Sequence, residues 1–309
     1  MRPRLHIPGV VLAAVFLAVS LNLSASPFPQ SKKLPPQADI NAIGHRDVGK
    51  GPNLYLIDKE IALGKVLAQE VERSVKLIDD HMATDYVDRL CQSLAKNSDA
   101  HMPITIRVID SDIPDGFTLP GGFLYINKGL ILQAQTEAEL AGALAHGIAH
   151  TALRSATKLA TRGNLIQLAS IPALIFVPSW VGGWVGYDQY ANFNLVLPSP
   201  ILKEVREDEY LADYFGLQYA YKSGYDAESF PLLIARVVPQ NSPNKRVPKV
   251  FSFFPPVPDR IQAMQREINE VLPHREQDIV SSSEFEVIKE RIRSLSPTNV
   301  KPILRKRSI

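Results

Sequence analysis

His146-Gly147-Ile148-Ala149-His150 places two histidines four residues apart in one short stretch. A helix is expected over about 136–153, with Thr136 as its N-cap and Glu137 and Glu139 in its first turn, where acidic side chains suit the helix dipole. On such a helix His146 and His150 share one face, close enough to hold one metal ion between them. A zinc ion needs at least a third protein ligand, so the pair alone reads as two ordinary core or surface histidines. Whatever this chain folds into must bring a further donor against that face.

That donor is expected in Arg206-Glu207-Asp208-Glu209-Tyr210-Leu211-Ala212-Asp213. Glu209 and Asp213 are again four apart and share a helix face. One carboxylate can bind metal while the other accepts the N–H of a liganding histidine and fixes its tautomer. Taken alone, the two would read as a solvated acidic face. Zinc peptidases use the H-x-x-x-H spacing with a glutamate directly after the first histidine, as general base. In this chain that position is Gly147.

The remaining pattern is mostly helical. Ile57, Ile61, Gly64, Ala68, Val71, Val75 and Ile78 recur at alternating four- and three-residue intervals, and Tyr86, Leu90 and Leu94 continue the spacing after a break at Asp79 to Thr84. Ile104 to Ile109 reads as a strand. Phe117 to Leu119 and Phe123 to Ile126 flank Pro120-Gly121-Gly122 and read as a hairpin. Further helices are expected over about 202–223, 259–271 and 283–295, with a Pro-rich stretch between Pro239 and Pro258. Leu165 to Val185 is uncharged and apolar but is interrupted by Pro172, Pro178 and Gly182-Gly183. It reads as a broken hydrophobic flap, with a membrane helix as the alternative. Trp180 and Trp184 within it suit a bilayer interface, a peptide-binding wall or a simple core.

At the N-terminus, Arg2 and Arg4 precede the mostly apolar run Val10 to Leu23 and the small residues Ser24, Ala25 and Ser26. This is the pattern of an export signal, although Pro27 makes cleavage after Ser26 awkward and leaves an uncleaved anchor open. Cys91 is the only cysteine, which excludes an intramolecular disulfide and any Cys-rich metal site. A formal net charge of +2 argues against a nucleic-acid partner. The expected divisions are 1–26 signal peptide or N-terminal anchor, 27–52 Pro-rich linker, 53–275 main domain, and 276–309 C-terminal helix with a basic tail.

Several of these features, in this order, resemble the HtpX/BepA/Oma-type gluzincin metallopeptidases, which are related to the CAAX prenyl proteases. They are Glu60-Ile61-Ala62-Leu63-Gly64; Leu119-Pro120-Gly121-Gly122-Phe123-Leu124-Tyr125-Ile126; Glu139-Leu140-Ala141 leading to Leu144-Ala145-His146; Arg206, Glu209, Ala212 and Asp213 in R-x-x-E-x-x-A-D; Gly216; Gly224-Tyr225-Asp226; and Ser252, Pro255, Pro256, Arg260 and Ile261. The resemblance implies an α+β, mainly α-helical, zincin-like domain with a small sheet packed on the active-site helix. It implies Zn2+ on His146, His150 and Glu209, Asp213 as partner of a liganding histidine, and Arg206 as a neighbour one turn before Glu209. It also implies that the hairpin lies near the cleft, where an exposed edge strand would pair with an extended peptide.

Two departures follow from the same resemblance. Gly147 replaces the general base, and Phe254 stands where the family usually has a histidine facing the metal. Glu139, two helical turns before His146 and about 10 Å away along the axis, is too far to replace the base. His45, His101 and His274 are expected at the surface. The reading is a periplasmic or membrane-associated cell-envelope zinc endopeptidase of impaired activity, acting on unfolded or envelope polypeptides. The alternative is a zinc-binding pseudoprotease that serves as a chaperone-like or regulatory polypeptide-binding module.

Overall fold

Two side-chain caps start the helices around which the fold is organised. Asp80 accepts from the backbone N–H of Ala83 and opens α2 (His81–Lys96), while Thr136 accepts from that of Glu139 and opens α4 (Glu137–Leu153). Both are seen in a computed structural model that describes residues 38–165, 199–237 and 255–295. Before α2 comes α1 (Ile57–Ser74), so the expected break near Asp79 is present.

Three strands follow α2: β1 (Thr105–Ile109), β2 (Gly116–Leu119) and β3 (Phe123–Asn127). They form one mixed sheet in the order β1-β3-β2, with β1 parallel and β2 antiparallel to β3. The hairpin expected around Pro120-Gly121-Gly122 is the β2–β3 pair, with Leu119 opposite Phe123. Gly121 and Gly122 take φ of 77° and 85°, a region that L side chains rarely adopt, which explains the glycine pair. This turn is buried against α1, because Gly64 lets the Pro120 carbonyl approach where a Cβ would collide with it. β2 lies at the edge of the sheet, yet all four of its residues are buried. The exposed pairing edge expected from the resemblance is therefore not what β2 presents. Thr118 instead donates its hydroxyl to the Gly147 carbonyl of α4, 3.1 Å away.

The short helix α3 (Lys128–Gln133) leads to α4, and every residue of α4 is buried. A helix that is apolar and small on all sides can sit at the centre of a domain, and α4 does so. Its neighbours are α2, β2, α6 (Ser199–Lys222) and α7 (Ser229–Val237). Between α4 and α6 runs α5 (Ser155–Leu165), and the described chain closes with α8 (Val257–Glu270) and α9 (Ser283–Leu295). Phe285, Ile288 and Ile292, spaced along one face of α9, join the same buried apolar cluster as Leu90, Leu94, Leu144 and Phe215. The chain is mainly helical with a small three-stranded mixed sheet beside the central helix, as the sequence predicts.

One buried polar cluster ties distant segments together. Arg46 donates to Asp99 through Nε (3.0 Å) and a terminal nitrogen (2.6 Å), and to Gln218 Oε1 through the other (2.6 Å). Tyr219 donates to Asp99 (2.9 Å), and Gln218 donates to Glu267 (3.0 Å). The segment from Asp39 to Gly51, read from its composition as part of a linker, is thus anchored through Arg46 to α6 and α8.

Among the described residues no helix is long and apolar enough to cross a membrane. The expected signal or anchor at 1–26, the beginning of the linker, the flap with Trp180 and Trp184, Phe254, and the basic tail lie outside the described residues.

Candidate metal centre

Close packing of α4 and α6 builds the site. A Cβ at Gly216 of α6 would lie 2.8 Å from the Cα of His146, so only glycine lets the two helices come this near. Across that contact, His146 and His150 of α4 face Glu209 and Asp213 of α6. The spacing of four in both helices projects each pair toward the other.

The imidazole Nε2 atoms of His146 and His150 are 3.1 Å apart. The Glu209 carboxylate lies 3.7 Å from the first and 3.4 Å from the second. One donor atom from each of His146, His150 and Glu209 falls within 4.8 Å of the others, and all three residues are buried. Two features mark the group as incomplete in itself. Glu209 Oε2 is buried without a hydrogen-bond partner, and two ring nitrogens point at each other across a gap of hydrogen-bond length. A buried carboxylate oxygen without a partner is costly. A cation between the three donors would satisfy all of them, and two imidazoles with one carboxylate are a donor set that suits zinc.

Behind His146, Asp213 Oδ1 lies 2.9 Å from Nδ1, within hydrogen-bond range but off the line of the Nδ1–H. Arg260 of α8 grips the same carboxylate with two bonds, Nε to Oδ2 at 2.7 Å and a terminal nitrogen to Oδ1 at 2.6 Å. Burial would raise the Asp213 pKa, but the Arg260 charge and hydrogen bonds, together with His146, bring it down to about 2. Asp213 is therefore a fixed anion. Burial pushes His146 below the usual histidine range, which favours the neutral ring that a metal requires.

Behind His150, Nδ1 lies 3.2 Å from the Ser155 hydroxyl. Asp208 approaches Ser155, and burial raises its carboxyl to about 6.

Four of the expected site residues, His146, His150, Glu209 and Asp213, are brought together, and Gly147 sits between the histidines on α4. Arg206 is half-buried on α6, and the guanidinium that holds Asp213 belongs to Arg260 instead. Sequence reasoning did not assign Arg260 to the site, although its place in the later matching segment was a signal. Ser155 and Asp208 had none. Glu139 is engaged at the N-terminus of α4 with Arg236 and the Gln135 backbone, away from the histidines. His45, His101 and His274 are exposed, as expected.

The family model "Peptidase family M48" matches residues 82–268, more than half of the chain. The chain belongs to peptidase family M48. Among relatives, a putative beta-barrel assembly-enhancing protease of Vibrio cholerae is 27% identical over 74% of this chain and 48% of its own length. The beta-barrel assembly-enhancing protease of Escherichia coli K12 is 21% identical over 91% of this chain and 56% of its own. The mitochondrial metalloendopeptidase OMA1 of Schizosaccharomyces pombe is 29% identical over 51% of this chain and 44% of its own. The chain spans about half the length of the relatives it matches. The M48 match encloses the two histidines, both carboxylates and Arg260.

Proposed function

We propose that this chain is a zinc-binding M48 protein of the bacterial cell envelope that engages polypeptides and hydrolyses them slowly. The observation that carries the reading is the buried His146, His150 and Glu209 group with its orphaned carboxylate oxygen, built around Gly147. His146 and His150 would hold the ion through Nε2, and Glu209 through its carboxylate. Asp213 would keep the proton of His146 on Nδ1, and Arg260 keeps Asp213 ionised. Bound zinc would supply Lewis-acid activation of a water and of a peptide carbonyl.

At the position after His146, where a proton carrier would stand, the chain has glycine. Gly147 offers no side chain to take a proton from the attacking water or deliver one to the leaving amine, so both transfers fall to solvent. Loss of a general base typically costs about 10²- to 10⁴-fold, roughly 3–5.5 kcal/mol of barrier. The same glycine favours a second reading: a binding module that keeps zinc for structure and does not cleave. The bacterial relatives' names support a cell-envelope setting, and the N-terminal pattern of Arg2, Arg4 and Val10 to Leu23 agrees with export. Clients would be unfolded or envelope polypeptides, with membrane association through residues 165–185 or an uncleaved N-terminus.

The test is cleavage of an unfolded protein by the unmodified chain, Gly147→Glu and His150→Ala, alongside metal analysis. About one zinc per chain is expected, lost in His150→Ala. Slow zinc-dependent cleavage that Gly147→Glu accelerates supports the impaired peptidase. Activity confined to Gly147→Glu favours the binding module. Absence of metal from the unmodified protein overturns both.

A further inference from the structure

A zinc-bound histidine needs its second ring nitrogen to give its proton to a fixed acceptor, because that bond sets the tautomer and the ring plane. For His146 the carboxylate facing Nδ1 is Asp213, 2.9 Å away and clamped by Arg260. His150 requires an equivalent, and among the described residues no carboxylate contacts its Nδ1 directly in the way Asp213 approaches His146. The atom in reach is the Ser155 hydroxyl, 3.2 Å away, on a residue that is itself buried.

The backbone is bent to place it there. Arg154 ends α4 in the left-handed conformation, φ 57° and ψ 36°, with its N–H turned back onto the carbonyls of His150 and Thr151. The chain therefore doubles over one residue after α4, and Ser155, the first residue of α5, comes back alongside His150. Arg154 is held in this bend by Glu60 of α1, whose carboxylate lies 2.7 Å from its Nε. A serine hydroxyl can accept from Nδ1–H only if it has somewhere to send its own hydrogen. Asp208, one residue before Glu209 on α6, is the carboxylate that approaches Ser155 and can supply that acceptor. The other oxygen of Asp208, Oδ2, is shut off from solvent without a partner, so this carboxylate faces the protein rather than water.

We propose that Ser155 and Asp208 form a relay that positions His150 for metal, Nδ1–H to Ser155 Oγ and Ser155 O–H to Asp208, matching the Asp213–Arg260 support of His146. Both supporting carboxylates then come from α6, on either side of the ligand Glu209. The two histidines are held by unlike devices, an arginine-clamped carboxylate for one and a hydroxyl-bridged carboxylate for the other. The inference rests on the proposed metal site.

The test compares zinc affinity, by competition with a chromophoric chelator, and the visible absorption of the cobalt-loaded full chain. The variants are Ser155→Ala, Asp208→Ala and the hydroxyl-retaining Ser155→Thr. Ser155→Ala and Asp208→Ala should weaken zinc binding by about 10- to 100-fold and alter the cobalt bands, the usual cost of losing an outer partner of a ligand. Ser155→Thr should bind like the unmodified chain. If Asp208→Ala does not fold, Ser155→Ala and Ser155→Thr decide the question. Unchanged affinity and unchanged cobalt bands in a folded Ser155→Ala protein would overturn the relay while leaving the metal site standing. Failure of the unmodified chain to bind zinc or cobalt would remove the metal reading itself, and the relay with it.

Discussion

Helix α6 carries two buried polar clusters, and they are built on opposite principles. Near its middle, Glu209 and Asp213 face the histidines of α4; about 11 Å further along, Gln218 and Tyr219 face Arg46 and Asp99. The second cluster is closed: Arg46, Asp99, Gln218, Tyr219 and Glu267 are each hydrogen-bonded to another member. The first leaves Glu209 Oε2 without a hydrogen-bond partner and two imidazole nitrogens facing each other. Burial alone thus does not separate a structural cluster from a binding one; the unspent acceptors do. α8 serves both with one face, placing Arg260 on Asp213 and Glu267 on Gln218.

The sharpest way to break this contrast is to cut the closed cluster. Asp99→Ala removes the carboxylate that accepts two hydrogen bonds from the buried Arg46 guanidinium, and should lower unfolding free energy by about 3–5 kcal/mol in urea titrations, equally with and without zinc. A loss that zinc repairs would mean the clusters are not separate. Next in size is metal itself. Zinc at about 100 times its Kd should stabilise the unmodified chain by roughly 2.7 kcal/mol and leave Glu209→Gln far less affected, read as shifts in thermal midpoint.

Acid should then separate the clusters by sign. Asp213 is held near 2, below its ordinary 3.8, so the stability it contributes is present above about pH 4 and is lost as pH falls toward 2. In metal-free protein that amounts to about 2 kcal/mol. Burial pushes Glu267 well above the carboxylate range, so its contribution is present at low pH and declines as pH rises through its folded value. Removing the carboxyl groups separately, as Asp213→Asn and Glu267→Gln, should flatten opposite limbs of the stability–pH curve. The smallest effect is expected from Thr118→Val, which removes the bond to the Gly147 carbonyl. It should cost about 1 kcal/mol and leave zinc affinity unchanged.

The sequence showed the candidate metal ligands because their geometry is local. A spacing of four on a helix puts two side chains on one face without knowledge of anything else, and both the histidine and carboxylate pairs obey it. Arg260 is 47 residues from Asp213, and their meeting depends on how α8 packs against α6. Arg206 was the nearer cation in sequence, but α8 supplies the one that closes on Asp213. Ser155 was hidden for a related reason, since it reaches His150 only because Arg154 adopts a left-handed conformation that its residue type does not announce. Composition misdirected the reading at Arg46: the prolines upstream suggest a linker, while the arginine's partners lie 53 and 172 residues away. The strand pattern placed β2 correctly, but alternation along a strand says nothing of what covers its edge.

Gly216 touches no candidate ligand atom, yet it acts as the gauge of the whole centre. The span between the imidazoles and the Glu209 carboxylate is the distance between two helix axes, and that distance is set by a missing methyl group. Alanine there would meet the His146 backbone, which has no flexible end to swing aside, so the helices would part. The width available to an ion is thus written in the backbone spacing of α4 and α6, and the side chains only line it.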